Sequence, residues 1–226
     1  MIYLTGDTHI PIDIKKLNTK EFPEQKNLTR NDYVIVLGDF GLLWKKDRTY
    51  EYWKKWLEEK TFTVLWLDGN HCNFDWIDSL PVTTWHNGKV HQISENIIHL
   101  MRGQVFEIEN NSIFVCGGAT SYDKEMRVPH ISWWPQEDIS YKEADEALKN
   151  LENIGNKVDY VLSHTCPESI AREMYTEITP DPTVRFLEEV KNIVSFKKWY
   201  FGHHHIDKDF GEKFTCLYNT IRKLGE

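Results

Sequence analysis

Asp7 and His9 stand two residues apart, directly behind the apolar run at 2–5. Four more segments repeat that plan. Residues 33–37 lead into Gly38-Asp39, and residues 63–68 into Gly69-Asn70-His71. Residues 160–163 lead into His164, and residues 199–201 into Gly202-His203-His204-His205. Taken singly, an Asp or Asn after glycine is an ordinary turn residue. Together the segments offer carboxylate, amide and imidazole donors beyond the roughly three or four side chains that one ion takes. A second ion sharing a bridging carboxylate is the economical expectation. Imidazole nitrogen with carboxylate oxygen suits Zn, Mn or Fe(II), whereas Mg and Ca prefer all-oxygen shells. On an extended chain Asp7 and His9 project to one side, as do His203 and His205. His204 then faces away and is left out of the metal shell.

The five leading runs read as buried strands, because Val, Ile, Leu and aromatics follow one another without alternation. In open α/β sheets the ligand site lies beyond the carboxyl ends of the strands, so these five ends point to one convergent site. Helices are expected at 47–60, 141–153 and 183–194. The first carries Tyr50, Trp53, Trp56 and Leu57 at helical spacing, and the second opens on a Ser140/Glu143 capping pattern. Short β runs are expected at 90–93, 97–101, 105–108 and 113–116, and a hairpin at 206–218 about Gly211-Glu212. That order suits two stacked sheets with helices outside.

Residues 117–137 lack periodicity and read as a long loop over the site. Within it Arg127 or His130 could clamp a phosphate oxygen, and Trp133 or Trp134 could stack on a flat group. The plainer reading is a packed flap, favoured for at least one of the tryptophans.

Composition narrows the function. A formal charge of −8 with no basic block disfavours passive nucleic-acid binding. Cys72, Cys116, Cys166 and Cys216 form no CxxC pair, which fits reduced thiols and a cytoplasmic protein. Cys166 reads as a small buried residue rather than a nucleophile. No signal peptide and no membrane span is expected, and no linker divides 1–226, so a single domain is expected. His86, His91, His99 and His130 match no motif and read as surface or satisfied core residues. Nothing argues for a particular oligomeric state.

In order, the blocks D-x-H, G-D, G-N-H, H and G-H-x-H resemble the calcineurin-like metallophosphoesterase superfamily, from Asp7 to His205. The resemblance implies an α+β or α/β fold of four layers, with two stacked mixed β-sheets flanked by helices. It implies that Asp7, His9 and His205 hold one divalent ion and that Asn70, His164 and His203 hold a second, with Asp39 bridging and His71 catalytic. Mn, Fe or Zn would serve. A bridging hydroxide would attack phosphorus, and His71 would protonate the leaving group. The expected activity is hydrolysis of a small phosphodiester or phosphomonoester, a nucleotide-like one included. A nuclease of the same superfamily and a silent scaffold are the alternatives. Two departures matter. Cys72 follows the G-N-H block where the family often has an acid, and Gly38-Asp39-Phe40-Gly41 lacks the Asp-Arg continuation of protein serine/threonine phosphatases.

Overall fold

The computed structural model describes residues 1–179 and 181–226. Its strands are β1 (Ile2–Thr5), β2 (Tyr33–Val36), β3 (Thr63–Trp66), β4 (Val82–Trp85), β5 (Gly88–Ser94), β6 (Ile97–Leu100), β7 (Gln104–Ile108), β8 (Asn111–Cys116), β9 (Tyr160–Ser163), β10 (Lys198–Phe201), β11 (Lys208–Phe210), β12 (Phe214–Cys216) and β13 (Ile221–Lys223). Its helices are α1 (Arg48–Glu58), α2 (Phe74–Ile77), α3 (Tyr141–Asn153), α4 (Glu168–Met174) and α5 (Pro182–Ile193). A seven-stranded sheet runs β13-β1-β2-β3-β6-β5-β4, and a six-stranded sheet runs β11-β12-β10-β9-β8-β7. Both are mixed. Their central strands are parallel and their edges are antiparallel.

Alternation within the apolar runs builds the layers. Ile35, Leu37, Leu65 and Leu67 of the first sheet meet Phe106, Val115, Leu162 and Tyr200 of the second, forming the inner core. Val34, Val36, Val64 and Trp66 face outward under Leu57 of α1 and Ile77 of α2. Val161, Trp199 and Phe201 face outward under α3, α4 and α5. Helix starts are chemically marked. Asp47 accepts from the N–H groups of Thr49 (2.8 Å) and Tyr50 (3.2 Å). Ser140 and Glu143 close a reciprocal capping box.

Register does the positioning. Thr5, Val36 and Trp66 are level in one sheet, and Cys116, Ser163, Phe201 and Cys216 are level in the other. Each donor-bearing turn therefore leaves its strand at the same height. The hairpin at 206–218 is present as β11 and β12, and β12 also extends the sheet as a parallel neighbour of β10. Among the described residues no helix is long and apolar enough to cross a membrane.

Candidate metal centre

Asp7 and Asp39 are buried where the two sheets' carboxyl ends meet. Asp39 Oδ2 lies 3.4 Å from His9 Nε2 and 3.6 Å from His164 Nε2. Its Oδ1 accepts the His71 backbone N–H at 2.7 Å, which fixes the carboxylate. Asp7 Oδ1 accepts the His203 backbone N–H at 3.0 Å. Asp7 Oδ2 is buried and makes no hydrogen bond, although His205 Nε2 is 3.0 Å away. Donor atoms of Asp7, His9 and His205 gather within 4.8 Å of one another, as do those of Asp7, Asp39 and His164. Asn70 joins the second group, its Oδ1 lying 3.2 Å from His164 Nε2. His203 packs edge-on against His164, with ring centroids 4.9 Å apart.

Backbone geometry differs from the extended chain expected around the paired donors. His9, Asp39, His203 and His205 all have positive φ (34°, 45°, 65° and 52°). Left-handed turns, rather than strand alternation, aim these side chains inward, and such strain clusters at functional sites. The preceding glycines give the room. A Cβ on Gly69 would come 2.1 Å from Asp39 Oδ1, and one on Gly38 would come 2.0 Å from the His164 ring.

Outer contacts orient the imidazoles. His164 Nδ1 donates to the Leu37 carbonyl at 2.8 Å, and His9 Nδ1 meets Asp13 Oδ2 at 2.9 Å. Both leave Nε2 toward the centre, as metal-binding histidines require. Tyr218 stacks flat on His205 (4.5 Å, 12°), and its hydroxyl donates to Asp13 Oδ2 at 3.3 Å. Ser121 Oγ accepts from Asn70 Nδ2 at 3.2 Å and donates to Glu137 Oε2 at 2.8 Å. Asp13, Tyr218, Ser121 and Glu137 were not found by motif. Of these, only Asp13, four residues beyond His9, carries a spacing that could have drawn notice.

Charge is unbalanced here. Burial would raise the Asp39 carboxyl, but His164 and His9 outweigh it and hold it well below its usual range. Burial would lower His164, but Asp39 and then Asp7 raise it to about 9. In the absence of an ion, the His164 imidazolium supplies the positive charge the carboxylates need. The orphaned Asp7 oxygen and the inward nitrogen lone pairs fit a divalent cation in the O/N class.

At the mouth, His71 Nδ1 lies 3.4 Å from Arg127 Nη1, and Arg127 Nε donates to Asp123 Oδ1 at 2.8 Å. Burial lowers His71, and Arg127 and His9 lower it further against the opposing pull of Asp39. Cys72 is buried, and its Sγ accepts the Gly69 N–H at 3.3 Å, so it closes the turn rather than serving His71. Three loop residues lie away from the donors. His130 is exposed and pairs with Asp75 at 3.0 Å. Trp134 is buried against Trp44 and donates to Asp75 at 2.8 Å. Trp133 Nε1 donates to Glu137 at 2.6 Å and so supports Asn70 through Ser121. His204 turns outward, against Tyr175 and Cys166.

A family model for calcineurin-like phosphoesterases matches residues 1–207. The chain belongs to this family. The membership agrees with the motif order and with the two mixed sheets. Among solved structures, a Staphylococcus aureus protein provisionally named a 5'-nucleotidase, in complex with α-ketoglutarate, is 14% identical with a TM-score of 0.49. The match covers 96% of this chain and 48% of that one, so this calcineurin-like phosphoesterase chain spans about half that protein's length. No curated protein matches the chain.

Proposed function

We propose that the chain is a dinuclear metal-dependent phosphoesterase acting on a small phosphodiester or phosphomonoester, with 1–226 forming one catalytic domain. Asp7, His9 and His205 would hold one divalent ion, Asn70, His164 and His203 a second, with Asp39 serving both. Mn, Fe or Zn suits the donors. The observation that carries this reading is the orphaned, buried Asp7 Oδ2 among converging imidazole nitrogens. Such a pair of ions acidifies water and neutralises charge building on phosphoryl oxygens.

The protein's own groups do the rest. Arg127 can only donate, so its contact makes His71 Nδ1 the acceptor and leaves the ring proton on Nε2. In that state Nε2–H can donate a hydrogen bond to the leaving oxygen, whereas transferring a proton to it requires the imidazolium, whose Nδ1–H must part from Arg127. Arg127, steadied by Asp123, holds a phosphoryl oxygen at the rim of a recess of about 270 Å³. The formal charge of −8 favours a small substrate over a long polyanion.

The test is Mn²⁺-supplemented hydrolysis of p-nitrophenyl and bis-p-nitrophenyl phosphate, with metal content measured alongside. His71→Asn should keep its metal and lose about 10²–10⁴-fold in turnover. Metal loss from that variant would reverse the role assigned to His71. Full metal occupancy with no turnover of either ester would leave a silent scaffold.

A further inference from the structure

Two recesses open on either side of His71. The Arg127 recess is polar, with Asp123, Ser121 and Asn70 along it. The other, about 220 Å³, is lined by His9, Ile10, Ile12, Gly41, Trp44 and His71. Its walls are Ile10, Ile12, the Trp44 indole and the Gly41 backbone together with the His9 and His71 imidazoles, and no carboxylate, lysine or arginine faces it among the described residues. His71 belongs to both recesses, so a phosphoryl group at the centre has a polar neighbour on one side and an apolar one on the other.

The apolar slot is built rather than incidental. Trp44 is held edge-on by Trp134 (5.2 Å, 80°), and its carbonyl accepts from Asn73 Nδ2 at 3.0 Å. Gly41 has φ +83°, and a Cβ there would come 2.4 Å from the Ile10 nitrogen, so that wall is bare backbone. Ile12 is 73% exposed at the rim, where it borders both this slot and the recess beside Lys16. The volume exceeds the roughly 150 Å³ cavity that admits benzene.

We propose that this slot takes a flat apolar substituent on the non-leaving ester oxygen of a phosphodiester, and that Trp44 and Ile12 set this preference. The inference rests on the phosphoesterase reading and narrows its substrate to diesters bearing an aromatic or similarly planar group. Stacking and edge contacts to an indole support a preference of about tenfold.

Two diesters with the same leaving group test it: methyl p-nitrophenyl phosphate and phenyl p-nitrophenyl phosphate, with the Mn²⁺-loaded protein. Trp44→Ala should lower kcat/KM for the phenyl ester about tenfold and for the methyl ester less than about twofold. Ile12→Asn, at an exposed position that folding does not need, should act in the same direction more weakly. Inhibition by diphenylphosphinate and dimethylphosphinate, which cannot be cleaved, should show the same selective loss. Equal losses on both esters, or none in either variant, would overturn the slot. In metal-replete wild type, turnover of p-nitrophenyl phosphate but of neither diester would overturn the slot, and absence of turnover with all three would overturn the phosphoesterase reading beneath it.

Discussion

Two buried polar clusters leave the end of β3 within two residues of each other, one through Asp68 and one through Asn70. Asp68 is matched by the chain itself. Its Oδ2 is bonded to Arg102, its Oδ1 is 3.1 Å from His99 Nε2, and His99 Nδ1 is 3.1 Å from His91 Nδ1. Asp7 and Asp39 have histidines around them but, among the described residues, no lysine or arginine ion pair. Lys16, the nearest amine, donates instead to the Asp7 backbone carbonyl at 2.7 Å. Buried charge is costly unless paired. One cluster meets that cost with a guanidinium and becomes structure. The other leaves room for a cation from outside.

Mutation should separate the two. Asp39→Asn should cut turnover by on the order of 10²–10³-fold or more. It should also lose metal, and the metal-free protein should melt earlier as well, because the ionised Asp39 that His164 and His9 hold well below its usual range no longer offsets the His164 charge. Full metal retention would make Asp39 a structural residue like Asp68. Arg102→Ala should do the converse. Stranding Asp68 should cost about 3–5 kcal/mol in urea unfolding, with metal stoichiometry retained.

A smaller effect distinguishes the clusters by pH in metal-free protein. His164, raised to about 9, contributes stability that is full below its unfolded value near 6.5 and is lost as pH rises toward 9. His91, lowered to about 4 chiefly by burial and then by His99, is the reverse case. Its contribution is lost as pH falls from about 6.5 toward 4. Thermal melts of His164→Gln and His91→Gln across pH 4 to 9 should flatten opposite limbs. Flattening of the same limb by both would dissolve the distinction.

The sequence was informative where burial is uniform. The five leading strands are continuous apolar runs because parallel strands bury both faces, so each donor could be tied to a strand end. The edges were harder. Residues 82–85 form β4 with three exposed positions, and β13 is only three residues long. Neither carries a pattern. His91 and His99 read as surface or satisfied core residues and are buried, but their coupling to Arg102 needs three-dimensional pairing. Trp133, Trp134 and His130 were singled out by residue type. Their distance from the donors reflects a general fact: large aromatics anchor loops through their N–H groups as readily as they receive ligands.

β1 is flanked by β2 on one side and by β13, more than 200 residues later, on the other. The donors follow the same span, five of them by His164 and the last two only at His203 and His205. A chain emerging from the ribosome therefore carries Asp7 and Asp39 long before their partners exist, and it must keep them wet until the carboxyl-terminal strands arrive. Closure over so long a separation is slow. Under the proposed function, ion capture belongs to the last stage of the protein's making, once the carboxyl-terminal strands have brought His203 and His205 to the centre.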